Sequence, residues 1–154
     1  MISIHLRPAQ ITDAPALANL LHAQNAFATV IAESMEFTTQ RVASRLQEAI
    51  PERDTILVAE VNNTVVAYGA VRWFPGLILP GPDAYLSELF VLPEFRGMQI
   101  GSQILAKLRA EASSRKATRL WCINFRERDS YKRAYYKKSG WEEKDIAVFF
   151  QQIP

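Results

Sequence analysis

Apolar and polar positions along this chain recur with two periods, and these assign most of its length to strands and helices. Ile2–Leu6 alternates apolar with polar residues and predicts a first strand, ended by Pro8. Leu17, Leu20 and Leu21 share one face of a helix over Ala14–His22, with Pro15 in its first turn and Asp13 placed to cap it. Gln24–Phe37 has no dominant period and allows a broken or second helix. Val42, Leu46 and Ile50 then predict a helix over Gln40–Ile50, with Thr38 or Thr39 as its cap. Thr55–Val61 and Thr64–Phe74 are strands of a hairpin turning at Asn62-Asn63, a residue type that tolerates positive φ. Pro75, Gly76, Pro80, Gly81 and Pro82 mark a loop carrying Leu77, Ile78 and Leu79. Loops of this kind line a pocket, cover a core or meet a second copy in a homodimer, and composition does not choose among these.

The stretch from Tyr85 to Lys107 organises the rest. Tyr85–Leu92 is apolar and aromatic, stops at Pro93, and predicts a central strand. Ile100, Ile104, Leu105, Leu108 and Ala112 lie on one helical face. Beyond them, Thr118–Asn124 reads as a strand, Asp129 or Ser130 caps a helix through Ser139, and Ile146–Ile153 closes the chain as a strand. These elements predict a mixed α/β fold: a central mixed sheet of six or seven strands with helices on both faces, in one domain over residues 1–154.

Composition narrows the functional classes. Apolar residues make up 49% and charged residues 22%, which is ordinary for a soluble globular protein. A net charge of +2 does not by itself imply nucleic acid, although Lys107 to Lys144 holds most of the basic residues. The single cysteine, Cys122, excludes an internal disulfide framework, lies in an apolar strand, and points to a reducing compartment. No signal peptide pattern and no run of membrane-spanning length is visible, so a cytoplasmic location without membrane partners is expected. His5 and His22 lack metal-ligand partners at helical or hairpin spacing, and no metal is expected.

The turn between the central strand and its helix carries the chemistry. Arg96-Gly97-Met98-Gln99-Ile100-Gly101 puts glycines at a helix N-terminus, where free N–H groups and the helix dipole favour an anion. It contains neither Gly-x-Gly-x-x-Gly nor Gly-Lys-Ser/Thr, which excludes a dinucleotide fingerprint and a P-loop. The unit resembles the pyrophosphate turn of the GNAT superfamily of N-acetyltransferases, whose pattern is Arg/Gln-x-x-Gly-x-Gly/Ala. Arg96 and Gly101 match its ends, while Gln99 stands where a glycine is usual. That departure matters if the turn needs positive φ there. The opening ISIHLRPAQITDAPALANLL and the later AYYKKSGW resemble further segments of the same family.

The resemblance implies direct acetyl transfer from acetyl-CoA to an amine, either a small molecule or a peptide or protein amine. It implies that Leu89, Phe90 and Val91 pair by their backbone with the pantetheine arm. Arg96, Gly97, Met98, Gln99, Ile100, Gly101 and Ser102 would hold the pyrophosphate, and Asp129 falls where many members have an Asn that touches the cofactor. Tyr136 matches the family's proton donor to the departing thiolate. Glu88 lies where polyamine acetyltransferases carry acidic residues and is the candidate base, with Ser87 in place of a second acid. Glu33 and Glu36 lie in the part of the chain that covers the acceptor site in the family. A non-catalytic acyl-CoA-binding or sensing domain is the alternative reading. A nucleic-acid-binding module on the basic C-terminal half has no recognition motif to support it.

Overall fold

The computed structural model describes residues 2–154. Two compact units divide it, one reaching Ile123 and the other Asn124–Pro154.

The first unit is a sheet with strands in chain order, β1 (Ile4–Pro8), β2 (Asp54–Val61), β3 (Thr64–Phe74), β4 (Asp83–Val91) and β5 (Arg119–Trp121). The first four pair antiparallel, and β5 joins β4 parallel. A parallel neighbour needs a crossover, and α4 (Ile100–Ser114) supplies it. The β2–β3 hairpin turns where the paired asparagines predict, with Asn62 at φ 49° and Asn63 at φ 61°.

Helix α4 packs on the sheet face that contains Gly69 and Trp73. A Cβ at Gly69 would lie 2.6 Å from Ile104 Cγ2 and 3.2 Å from Leu108 Cδ1, so the missing side chain is what lets the helix approach. Arg115, at the end of α4, lies over the Trp73 ring at 4.5 Å. On the opposite face lie α1 (Ala14–Gln24), α2 (Ala28–Ala32) and α3 (Met35–Glu48), with Phe27 meeting Phe90 of β4. The core is drawn from both layers and includes Leu17, Leu20, Val58, Val66, Val71, Ile104 and Leu108.

Local chemistry shifts several predicted boundaries. Asp13 occupies the cap position of α1 but makes no side-chain cap. Its carboxylate instead takes both guanidinium nitrogens of Arg7, at 2.7 and 2.8 Å, and the Gln10 N–H at 2.7 Å. Ser34, not Thr38 or Thr39, caps α3 by accepting the Phe37 N–H at 3.1 Å, so the helix starts at Met35. Thr38 is fully buried and serves another purpose, described below.

In the second unit, the helix expected from 129 to 139 is two single turns, α5 (Asp129–Lys132) and α6 (Tyr135–Lys138). Ala134 sits between them at φ 54°, a left-handed conformation that breaks the hydrogen-bond ladder. The expected closing strand Ile146–Ile153 is not formed, and Ile146, Phe149, Phe150 and Ile153 are exposed. The sheet therefore has five strands among the described residues rather than six or seven. A strand exists through its ladder, and a β-favouring run without a partner strand stays irregular.

Candidate active site

Strand β4 is irregular at one place. Glu88 pairs with Ala70 and Leu86 with Val71, which leaves Ser87 as an extra residue, a β-bulge. The Ser87 hydroxyl donates to Ala70 O at 3.2 Å across it. In a regular strand Leu86 and Glu88 would point the same way. Here Leu86 and Leu89 face α4, Leu89 lying within 3.5 Å of where a Gly69 Cβ would be. Glu88 and Phe90 face the side of α1–α3, opposite Ala70 and Tyr68. The bulge therefore moves a carboxylate out of an apolar layer.

The β4 backbone has a second property. On its outer edge β5 pairs only with Asp83, Ala84 and Tyr85. From Leu86 to Val91 that edge has no strand neighbour among the described residues. The side chains of Leu89 and Phe90 are taken up in packing, so the exposed main-chain groups are what this edge offers a ligand.

The edge runs into the turn at α4. Gln103 N–H is the first to find a helical acceptor, at Gln99 O (3.1 Å), so the N–H groups of Ile100, Gly101 and Ser102 precede the ladder. Gly97 has φ 80° and Gln99 has φ 60°, ψ 13°. The turn does need positive φ where the family has glycine, and Gln99 adopts it at a conformational cost. Met98 lies exposed between them. Arg96 does not reach out from the turn. Its Nη2 donates to Gln24 Oε1 at 2.8 Å and its Nε to Val91 O at 3.3 Å, while Gln24 Nε2 donates to the same carbonyl at 3.3 Å. Gln24, which the pattern of the sequence did not single out, thus ties the end of α1 to the end of β4.

A polar network lies on the Glu88 side. Arg41 donates to both Glu33 oxygens, at 3.0 and 2.6 Å, and Thr38 Oγ1 donates to Glu33 Oε2 at 2.8 Å. These bonds hold the Glu33 carboxyl below its ordinary value, the Arg41 hydrogen bonds being the largest cause. Glu33 is therefore a committed anion rather than a base awaiting a proton. His22 Nε2 lies 2.9 Å from Thr38 Oγ1. Since the one hydroxyl proton of Thr38 goes to Glu33, His22 Nε2 is the donor in that contact. Glu36 receives only Gln40 Nε2, at 3.4 Å, on an exposed helix face.

Tyr68 completes this side. It is 4% exposed, and burial pushes its phenol well above the ordinary value. The Glu88 carboxylate adds to this through its charge and a hydrogen bond, against smaller opposing effects of Arg41 and Arg72. The Tyr68 phenol therefore stays protonated, on the same face of the sheet as Glu88. Arg72 binds Asp54 at 2.7 Å. Tyr68 and Arg41 were invisible as site residues because only the bulge puts Glu88 on their face.

In the second unit Tyr136 is half-buried, with its ring edge-on to Tyr135 (5.2 Å) and Trp141 (5.3 Å). Asp129 is exposed at the start of α5. Glu143 binds Lys137 at 2.9 Å and Arg126 at 3.2 Å and accepts from the Tyr131 hydroxyl at 3.0 Å. Part of the basic character of this unit is thereby neutralised internally. No group of three or more His, Cys, Asp or Glu residues suited to a metal occurs among the described residues.

Comparison with known proteins bears on both units. A curated relative, an uncharacterized N-acetyltransferase of Archaeoglobus fulgidus, is 35% identical over 86 residues. The match spans 52% of this chain and 58% of the relative, so little more than half of that protein's length is represented. Among solved structures, a transcriptional regulator from Bacillus halodurans superposes with a TM-score of 0.81 at 17% identity, covering 97% of this chain and 100% of its own. Glucosamine-6-phosphate N-acetyltransferase from Arabidopsis thaliana gives 0.75 at 18%, covering 97% and 98%. Likeness at that identity shows the shared fold. The profile of the acetyltransferase (GNAT) family matches residues 19–141, spanning the β4 edge, the α4 turn and the Tyr136 segment, and the chain belongs to that family.

Proposed function

We propose that the protein is an acetyl-CoA-dependent N-acetyltransferase acting on an amine, working as one domain. The observation that carries this reading is the β4 edge from Leu86 to Val91, which has no strand neighbour among the described residues and is followed, through the turn 92–99, by the N–H-rich start of α4. An extended arm with amide groups fits the edge by strand-like pairing, and a pyrophosphate fits the turn. Acetyl-CoA supplies the activated acetyl group. Leu89, Phe90 and Val91 would hold its arm by backbone hydrogen bonds. Gly97, Met98, Gln99, Ile100, Gly101 and Ser102 would surround its phosphates by N–H groups, with Arg96 bracing the turn. Asp129 is assigned to the cofactor by its place in the family pattern alone.

The acceptor must arrive with, or acquire, a free lone pair. An amine of ordinary pKa near 10.4 is mostly protonated at neutral pH. Glu88 attracts that ammonium and takes its proton, directly or through water, as the nitrogen attacks the thioester carbonyl. Tyr68, on the same face as Glu88, keeps its phenol protonated and supplies a neutral polar group there. The C–S bond breaks, and Tyr136 returns a proton to the sulfur. That role rests on its match within AYYKKSGW.

Calorimetry with CoA, followed by thiol release from acetyl-CoA across a panel of amines and peptides, tests the proposal. Binding in the micromolar range with amine-dependent thiol release is expected. Binding without turnover on any amine would favour the acyl-CoA-sensing alternative, and no binding at millimolar CoA would overturn both.

A further inference from the structure

The side of β4 that carries Glu88 also carries a run of aromatic rings. Phe27, between α1 and α2, meets Phe90 edge-on at 5.2 Å, and Phe90 lies 5.8 Å from Tyr68, on the same face of the sheet as Glu88. Phe27, Phe90 and Glu88 are only half-buried. The segment after Phe27 exposes Ile31 (57%), Met35 (43%) and Phe37 (56%), an unusual density of apolar surface for a solvated flank.

The charges on this face are counted as easily. Glu33 is neutralised by Arg41 and also accepts the Thr38 hydroxyl. Ser87, beside Glu88, is engaged with Ala70 O and adds no charge. Glu88 is the carboxylate on the face of these rings, while Glu36 lies on an exposed helix face, where Gln40 Nε2 reaches it at 3.4 Å. Arg41 is close enough to Glu88 to interact with it electrostatically, but Glu33 balances its charge, so the Arg41–Glu33 pair adds no net charge to this face.

We propose that the acceptor is a monoamine carried on an aromatic or branched apolar body, with its ammonium at Glu88 and its body against Phe27 and Phe90. This rests on the acetyl-transfer reading and adds the substrate class to it. A polyamine or amino sugar brings extra cationic or hydroxyl groups to a face with one acid and an aromatic wall, where they lose water without gaining partners.

The test compares 2-phenylethylamine, spermidine and glucosamine as acceptors by thiol release, with CoA binding measured separately. The expected kcat/KM favours 2-phenylethylamine over both others by about tenfold or more, the discrimination that a filled apolar contact provides. Phe27→Ala should raise KM for 2-phenylethylamine about tenfold while leaving KM for spermidine and the affinity for CoA unchanged. Preference for spermidine or glucosamine in a protein that binds CoA would overturn this inference alone. So would a Phe27→Ala effect equal for all three amines. Absence of CoA binding would overturn the transfer reading beneath it.

Discussion

Leu86 and Glu88 stand two residues apart on β4 yet face opposite sides of the sheet, because Ser87 is bulged between them. Leu86 is buried on the α4 side opposite Val71, and Glu88 lies opposite Ala70 on the face of Tyr68. The functional content of the acceptor side depends on that one-residue slip.

Replacement of Glu88 by Gln keeps the size and removes the proposed base. The expected loss in kcat/KM is about 10²- to 10⁴-fold, the range of general acid–base groups. The loss should be largest at low pH, where the amine proton is hardest to remove. CoA affinity should stay unchanged, since the β4 edge and the α4 turn are untouched. Superimposable pH–rate profiles for wild type and Glu88→Gln would assign the residue to structure.

The left-handed conformation of Gln99 makes a prediction about stability. Gln99→Gly relieves a cost of about 1 kcal/mol, partly offset by the larger entropy of the unfolded glycine chain. Gln99→Val, β-branched at positive φ, should lose about 1 kcal/mol or more. Denaturant midpoints should therefore rank Gly at or above Gln, and Gln above Val. CoA binding should survive Gln99→Gly, because the N–H is retained. A lower midpoint for Gly than for Gln would show that the side chain contributes more than its backbone costs.

Tyr136→Phe removes a hydroxyl while the ring contacts with Tyr135 and Trp141 remain. A drop in kcat of about ten- to a thousandfold with unchanged CoA affinity is expected when chemistry limits the rate. Tyr135→Phe keeps the ring pair and should leave kcat unaltered. Equal kcat for Tyr136→Phe and wild type would remove Tyr136 from the mechanism.

The Arg7–Asp13 pair predicts a pH dependence of stability. The Asp13 carboxyl is buried, and hydrogen bonds from Arg7, ahead of that from the Gln10 N–H, hold it below the ordinary value of 3.8. A depressed carboxylate stabilises the fold fully above its unfolded value and loses that contribution as pH falls through the folded one. Wild-type stability should therefore decline below about pH 4. Asp13→Asn should cost about 2 kcal/mol at neutral pH, the scale of charged hydrogen bonds, and less in acid. Melting curves of both proteins from pH 7 to pH 2 check the convergence; parallel curves would exclude Asp13 as the titrating group.

The sequence by itself determined the features whose cause is local. Asn62-Asn63 specify their turn by backbone preference, and Ile104, Leu105 and Leu108 specify α4 by period. The glycine-bearing turn before α4 is likewise legible, since residue type and position suffice to place N–H groups at a helix start. Other features depended on partners distant in the chain. The bulge at Ser87 follows from registering β4 against β3, and only that registration brings Glu88 to Tyr68 and Arg41. Thr38 reads as a helix cap until Glu33 and His22 claim its hydroxyl. The aromatic run at Ile146–Ile153 reads as a strand, yet a strand needs a ladder, and pairing is decided by tertiary structure rather than by propensity.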